Sequence, residues 1–169
     1  TEMFAGPSND TGLETEILFG ETLEVLDQRS GYFKVKLATD GYEGWVAARS
    51  LTPVRDDKNK CDHRQITAPS VIVSTAPDVK SRYLLKLSLG AQINVTDQQG
   101  EWLILTLPLG SKGYLPACAC ENPLANNDYV SVAESLVGVA YHYGGRTHDG
   151  LDCSALVQLS LQAKGINCP

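Results

Sequence analysis

"LFGETLEVLDQRSGYFKVKLATDGYEGWVAARSL", residues 18–51, is followed by a second stretch of the same pattern, "SLGAQINVTDQQGEWLILTLPLGSKGYLPACA", residues 88–119. The two stretches align in the order of their glycine, apolar and aromatic positions. Gly20, Leu23, Val25 and Asp27 match Gly90, Ile93, Val95 and Asp97; Gly31, Phe33 and Val35 match Gly100, Trp102 and Ile104; Gly44, Trp45 and Val46 match Gly113, Tyr114 and Leu115. An internal repeat of this length predicts two copies of one small structural unit.

Each copy reads as short β-strands. "TLEVLD" and "YFKVKL" alternate apolar and polar residues, with turn residues between them at 28–31. "QINVTD" and "EWLILTL" repeat this arrangement around "QQG". Short strands at even spacing with glycine turns predict a tandem pair of small β-barrels. We place the first at residues 1–55 and the second at residues 66–122.

A polar, charged stretch, "PVRDDKNKCDHRQ", separates the two copies. It predicts a linker at residues 56–65, with His63 as a solvated linker residue. A metal site built from His63, Cys118 and Cys120 is the alternative, but the sequence offers no further ligand at short spacing. We therefore expect neither a metal nor a cofactor.

The pattern changes to helical spacing from Asn127. Apolar or small residues at 129, 132, 133, 136, 137 and 140 predict a helix over residues 128–140, capped by Asn127 or Asp128. "GGRTHDGLD" then predicts a loop, and a second helix starts at Cys153 and stops near Gly165. The expected fold is multidomain: two barrels followed by the helical N-terminal part, residues 123–169, of an α+β domain.

Cys153 is the candidate nucleophile. A helix N-terminus carries partial positive charge and free N–H donors, which favour the reactive thiolate and can face a developing oxyanion. A cysteine at a helix start is also common as a structural residue, so position alone leaves both interpretations open.

The sequence around Cys153 resembles the motif of a known protein family. "YHYGGRTHDGLDCSALVQ" is similar to the nucleophile motif of the NlpC papain-like cysteine peptidases, in which an aromatic-x-aromatic-G-G stretch precedes G-x-D-C-S-G-L-V. Tyr143 stands where tryptophan is usual and Ala155 where glycine is usual. The repeats likewise resemble bacterial SH3-like domains, which commonly precede an NlpC domain. The resemblance therefore implies a thiol protease acting on bacterial cell-wall peptides.

The resemblance also implies roles for named residues. Cys153 would be the nucleophile, with Asp152 and Ser154 lining the pocket for the substrate's free amine and D-Glu carboxylate. Tyr141 would hydrogen-bond near the scissile carbonyl. Tyr42 and Glu43, at a turn of the first repeat, would form a wall of the pocket, with Glu43 offering its carboxylate to the amine.

The implied reaction is hydrolysis of the γ-D-glutamyl–diamino acid bond, with meso-diaminopimelate as the diamino acid, in peptidoglycan-derived peptides that carry a free N-terminal L-Ala. Such soluble turnover peptides imply peptide recycling in the cytoplasm. A periplasmic or secreted protein, after removal of a signal peptide, is the alternative location.

The family's catalytic histidine follows the nucleophile on a later sheet, and no such residue occurs here. His148, in the loop before Cys153, and His142 are poor substitutes. We expect that the sequence stops inside the catalytic domain, whose C-terminal remainder would be a partner of this part. This expectation rests on the resemblance and on the apolar stripes of both helices, which need a sheet to pack on.

Two other functions stay open. The SH3-like pair could act as a non-catalytic module that binds cell-wall peptide or a partner protein, or the thiol could serve an acyltransferase. The net charge of −6 argues against nucleic acid as a partner, and no run of residues approaches the length of a membrane helix, so we expect no membrane insertion.

Overall fold

The computed structural model describes residues 1–54, 62–121, 128–166 and 168 of the chain. Within these residues the fold is mostly β, with two α-helices. The predicted boundaries near residues 55 and 122 fall largely outside the described residues, and so do Cys61 and the alternative cap Asn127. The domain limits therefore stay predictions.

The first repeat forms a five-stranded antiparallel sheet. Its strands are β1 (Glu2–Phe4), β2 (Leu13–Glu16), β3 (Leu23–Arg29), β4 (Tyr32–Leu37) and β5 (Glu43–Ala47). They lie in the order β2-β1-β5-β4-β3. The predicted hairpin is present, because β3 and β4 pair from Leu23↔Leu37 to Arg29↔Tyr32. Its core consists of Met3, Ile17, Val35, Leu37 and Val46.

The second repeat forms a six-stranded sheet. Its strands are β6 (Asp62–Gln65), β7 (Ser70–Ser74), β8 (Tyr83–Ser88), β9 (Gln92–Gln99), β10 (Trp102–Thr106) and β11 (Lys112–Pro116). The order β8-β7-β11-β10-β9 repeats that of the first sheet, with β6 added at the β9 edge. The two sheets thus share one topology, as the repeat predicts, while closure of each into a barrel stays a prediction.

The added strand β6 corrects the linker prediction. Residues 62–65 pair with β9, and His63 lies opposite Asn94 as an exposed strand residue instead of a linker residue. Asp62 and Arg64, whose side chains bond to each other at 2.7 Å, leave the face polar. The sequence did not predict this strand because its side chains are polar and show no apolar alternation. An edge strand can form without such a pattern, since backbone hydrogen bonds hold it to its neighbour.

The C-terminal part contains a hairpin as well as helices. Helix α1 (Tyr129–Ser135) precedes the short strands β12 (Arg146–Thr147) and β13 (Gly150–Leu151), and helix α2 (Cys153–Gln162) follows them. The purely helical description was therefore wrong, since the predicted loop over residues 144–152 holds the two paired strands. At ten residues α2 is the longest described helix, and no described helix has the length and apolar character to cross a bilayer.

Helix α1 is shorter than predicted. Asp128 caps it as expected, accepting hydrogen bonds from the backbone N–H of Val130 and Ser131, but the helix ends at Ser135 instead of residue 140. The chain then leaves the helix through Gly138, whose φ is +97°. The helical spacing of apolar residues continues past Ser135, but the backbone is no longer α-helical there.

A shared apolar cluster joins the three parts of the chain. Leu18 follows strand β2 of the first repeat and Leu89 follows strand β8 of the second. The remaining members come from the C-terminal part: Val132, Leu136, Leu151, Ala155 and Leu159. The two repeats also touch directly, since Gln92 on β9 donates its backbone N–H to the carbonyl oxygen of Phe19, in the loop after β2, at 2.8 Å. The helix that carries Cys153 is therefore held against both sheets.

Candidate active site

The site begins with the cap of α2. Asp152 is the N-cap residue, and its Oδ1 accepts hydrogen bonds from the backbone N–H of Ala155 at 2.7 Å and the hydroxyl of Ser154 at 2.8 Å. Its Oδ2 accepts the backbone N–H of Gly144 at 3.1 Å. Burial alone would raise the pKa of Asp152, but these hydrogen bonds outweigh it and lower the pKa. The ionised Asp152 carboxylate therefore connects the start of α2 to the turn at Gly144 and Gly145 by hydrogen bonds.

Cys153 is the first residue of α2, and its side chain is exposed. The unpaired N–H groups of the first helical turn and the helix dipole create a positive local field at this position. The sequence predicted this placement, and the described cysteines Cys118, Cys120 and Cys153 form no disulfide. The geometry presents a single reactive group to solvent at a helix N-terminus.

A pocket of about 160 Å³ lies beside this helix start. One wall comes from the first sheet and the other from β12 and α2; the lining residues are Glu14, Thr15, Asp40, Tyr42, Arg146, Asp152, Ser154, Ala155 and Gln158. Three carboxylates and one guanidinium give the lining an excess of negative charge. The pocket therefore suits a small cationic group.

Tyr42 and Glu14 form the first-sheet wall. The Tyr42 hydroxyl donates to Glu14 Oε2 at 2.8 Å. This hydrogen bond, with a smaller contribution from burial, raises the pKa of Tyr42 to about 12. Tyr42 therefore stays protonated and acts as a donor that orients the carboxylate.

Asp40 connects the loop before β5 to α2. Its Oδ1 accepts the backbone N–H of Tyr42 at 2.9 Å, and its Oδ2 accepts a hydrogen bond from Gln158 Nε2 at 3.0 Å. One carboxylate thus fixes both the Tyr42 backbone and a side chain on the nucleophile helix.

Arg146 forms a buried ion pair with the first sheet. Its guanidinium donates to both carboxylate oxygens of Glu21 at 3.0 and 3.2 Å, and both side chains are 3% exposed. It also donates to the carbonyl oxygen of Glu16 at 2.9 Å, and its backbone N–H donates to Glu16 Oε2 at 2.8 Å. The hairpin that precedes Cys153 is thereby attached to the first sheet.

His148 attaches the same hairpin to the second sheet. Its Nδ1 lies 2.7 Å from Ser88 Oγ and its Nε2 lies 2.9 Å from Asp149 Oδ1. Because Nε2 faces the Asp149 carboxylate, which can only accept, Nε2 donates the ring proton there, and Nδ1 of the neutral ring accepts the hydroxyl proton of Ser88. Burial lowers the pKa of His148, against the opposing effect of Asp149. Both ring nitrogens are occupied, which leaves none for Cys153.

The predicted site residues are only partly brought together. Asp152, Ser154 and Tyr42 line the pocket that Cys153 adjoins. Tyr141, 70% exposed and bridged to Leu151 through the backbone, does not line it. Glu43 does not line it either, since its carboxylate forms an ion pair with Lys34 at 3.0 Å. Tyr42 lies in the loop before β5, whereas Glu43 is the first residue of that strand.

Sequence reasoning missed several lining residues. Glu14, Thr15 and Asp40 gave no local signal, since only folding brings them to α2. Gln158 was hidden within the predicted helix. Arg146 did offer a signal, as a charged residue immediately after the paired glycines.

Comparison with known proteins confirms the resemblance seen in the sequence. Residues 3–51 match the model of the bacterial dipeptidyl-peptidase SH3 domain, and residues 138–169 match that of the NlpC/P60 family. The chain is 24% identical over 179 residues to a gamma-D-glutamyl-L-lysine dipeptidyl-peptidase of Bacillus cereus, covering 96% of this chain and 54% of that protein. It is 23% identical over 183 residues to dipeptidyl-peptidase 6 of Lysinibacillus sphaericus, covering 97% of this chain and 66% of that protein.

A solved structure shares the fold. An NlpC/P60 family protein from Bacillus cereus superposes with a TM-score of 0.77 at 24% identity, covering 93% of this chain and 57% of the other. The chain thus spans between about half and two thirds of the length of these proteins.

Proposed function

We propose that these residues supply the nucleophile and the amine-binding wall of a cysteine peptidase. Its reaction is hydrolysis of the γ-D-glutamyl–diamino acid bond in peptidoglycan-derived peptides with a free N-terminal L-Ala. The observation that carries the proposal is the position of the acidic pocket, directly beside the helix start that presents Cys153. The names of the two related peptidases support the same class of reaction.

The chemistry proceeds through an acyl-enzyme. The Cys153 thiolate attacks the γ-carbonyl carbon of D-Glu, and the backbone N–H groups at the start of α2 are suited to stabilise the oxyanion that forms. The C–N bond then breaks, the amine of the diamino acid leaves with a proton, and water hydrolyses the thioester. We propose that a histidine beyond these residues supplies this proton, since His148 is committed to Ser88 and Asp149.

The pocket accounts for a free amine on the substrate. Glu14 is held by Tyr42, and a carboxylate can accept further hydrogen bonds, so its remaining capacity suits an ammonium group. Asp152 contributes its charge, although its oxygens already accept three hydrogen bonds. At about 160 Å³ the pocket has room for a small residue such as alanine. An acetylated or extended N-terminus would lose the charge that the carboxylates attract.

The diamino acid lies outside this pocket. We propose meso-diaminopimelate, with L-lysine as the alternative that one relative's name suggests. Peptides with a free L-Ala are products of earlier wall breakdown, which supports a recycling role in the cytoplasm as part of the same proposal.

The second candidate function is a binding module without catalysis. It is favoured by one observation, that the pocket is formed within the described residues and needs no histidine. Both functions predict binding of the peptide, and only the first predicts its cleavage.

Calorimetric titration with L-Ala-γ-D-Glu-meso-diaminopimelate, its L-Lys counterpart and their N-acetyl forms tests the pocket. Free-amine peptides should bind about tenfold or more tightly than the acetylated forms. Glu14→Gln should remove most of that preference, whereas Glu43→Gln is the matched control that should keep it. Equal binding of free and acetylated peptides would exclude the amine-binding role.

Cleavage is tested with the full-length protein. Cys153→Ala should abolish hydrolysis while it leaves peptide binding intact. Cleavage by this variant would exclude Cys153 as the nucleophile, and binding without cleavage by the unmodified protein would favour the binding module.

A further inference from the structure

Strand β2 faces the segment that leads to the nucleophile along its whole length. At one end Leu13 packs against Gly144, where an added Cβ would lie 3.0 Å from Leu13 Cγ. At the other end Glu16 accepts hydrogen bonds from the Arg146 backbone and side chain. The residues between, Glu14 and Thr15, line the pocket. The position of Glu14 relative to α2 is thus fixed by the contacts on either side of it.

The Arg146–Glu21 pair is the polar part of this junction. Each side chain is 3% exposed, and the two N–H···O bonds of the fork set both distance and orientation. Glu21 is itself held, because its Oε2 accepts the backbone N–H of Leu18 at 2.7 Å. A buried ion pair often adds little stability over an apolar pair of similar volume. Here the ion pair fixes the relative position of Arg146 and Glu21, which are 125 residues apart in sequence.

We propose that Arg146 is a positioning residue that determines specificity. Held by Glu16 and Glu21, it places strand β2, and through β2 the Glu14 carboxylate, opposite the start of α2. The preference for a free amine then depends on Arg146, although Arg146 is paired within the protein. This inference rests on the proposed function and assigns Arg146, a residue of the pocket lining, a role that it exerts through Glu16 and Glu21.

The test removes the pair without leaving a buried charge. Arg146→Met combined with Glu21→Leu keeps the net charge and fills the volume, so the fold should persist, whereas either single change would leave one charge unpaired. Arg146→Lys keeps a charge but not the two-pronged geometry, and serves if the double variant fails to fold. The exposed pair Arg29 and Asp27 gives the control, as Arg29→Gln with Asp27→Asn.

Two readouts are measured on each variant. The first is the affinity ratio for L-Ala-γ-D-Glu-L-Lys over its N-acetyl form. The second needs no peptide, and compares labelling of Cys153 by a cationic and an anionic methanethiosulfonate, quantified by peptide mass spectrometry. A correctly placed acidic pocket should favour the cationic reagent.

The double variant and Arg146→Lys should lower the peptide ratio about fivefold to tenfold and the labelling preference at least about twofold, while the control matches the unmodified protein. Unchanged values in both readouts for a folded variant would overturn the inference. If the unmodified protein binds no peptide, the proposed function fails, and the labelling preference alone decides whether Arg146 positions Glu14.

Discussion

The Tyr42 hydroxyl donates to Glu14 Oε2 at 2.8 Å, and so links two residues 28 positions apart on one wall of the acidic pocket. Glu14 lies on β2 and Tyr42 in the loop before β5, and the opposite wall belongs to β12 and to the helix that begins with Cys153. The orientation of Glu14 is therefore set before any ligand arrives. Such preorganisation lowers the cost of binding a cation.

Tyr42→Phe should weaken binding of a free-amine peptide by about fivefold, since one hydrogen bond to a charged group is lost. It should also change stability at alkaline pH. The folded-state pKa of about 12 exceeds the ordinary value of 10.0, so the stabilising effect is complete below pH 10 and is lost as the pH rises towards 12.

Urea unfolding of both proteins between these pH values measures this effect. The unmodified protein should lose stability more steeply than Tyr42→Phe. Parallel curves would show that the hydroxyl does not bond to Glu14 in solution.

Asp152→Ala should destabilise the protein by about 1 kcal/mol, because the N-cap of α2 is lost. Asp152→Asn should cost less, since asparagine can cap a helix, but its amide nitrogen cannot accept the N–H of Gly144. The folded pKa of Asp152 is lowered, so the carboxylate's advantage over asparagine is present above about pH 4 and disappears as the pH falls below it.

Thermal melts of the three proteins near pH 7 and near pH 3 check this order. An advantage of Asp152 over asparagine that persists undiminished in acid would contradict it. The rate of Cys153 alkylation should fall in Asp152→Ala as well, because the helix start loses its fixed geometry.

Gly144→Ala should be more costly than Gly165→Ala, although the backbone φ is similar, +73° and +71°. Both variants place a side chain in a left-handed conformation, at about 1 kcal/mol. At Gly165 the new methyl group meets nothing within 4 Å, whereas at Gly144 it meets Leu13 and the carbonyl oxygen of Glu14.

The extra loss at Gly144 should be about 1 kcal/mol or more by urea unfolding. Equal losses would mean that strand β2 does not pack on the glycine turn. Peptide affinity should fall only in Gly144→Ala, because only that change displaces Glu14.

His148→Gln should flatten the pH dependence of stability in mild acid. Burial lowers the pKa of His148 in the folded state below its ordinary value of 6.5. The charge of Lys86 lowers it further, while the charges of Asp149 and Glu16 act in the opposite direction. An imidazole that resists protonation in the folded state stabilises fully above about pH 6.5, and that contribution is lost as the pH falls towards its folded pKa.

The unfolding free energy of the unmodified protein should therefore drop more than that of His148→Gln between about pH 7 and pH 5. His63→Asn, at an exposed position on β6, is the control and should behave like the unmodified protein. A drop of equal size in all three would place the titrating group elsewhere.

The sequence predicted those elements whose structure depends on residues close together in the chain. Alternation predicted the β3–β4 and β9–β10 hairpins, and the cap at Asp128 and the helix start at Cys153 follow from short-range chemistry. Strand β6 and the β12–β13 hairpin were missed, because their polar or very short sequences are held by backbone pairing with partners elsewhere.

The site was predictable only in part for a related reason. Asp152, Cys153 and Ser154 are adjacent, so one motif names them together. Glu14 and Arg146 are separated by most of the chain, and neither was predicted. Glu43 was predicted because it stands next to Tyr42 in sequence. In the fold, Glu43 pairs with Lys34, and the carboxylate that bonds to Tyr42 in the pocket is that of Glu14 on β2.

The apolar cluster around Leu18 and Leu89 bears on how the molecule melts. Its side chains come from both sheets and from the helices, so loosening any one part exposes apolar surface belonging to the others. We expect all three parts to lose structure together, as one cooperative heat-capacity peak in calorimetry instead of a series. A substitution in this apolar cluster should then shift the single melting transition. The acidic pocket and the helix that carries Cys153 should lose their structure at the same temperature.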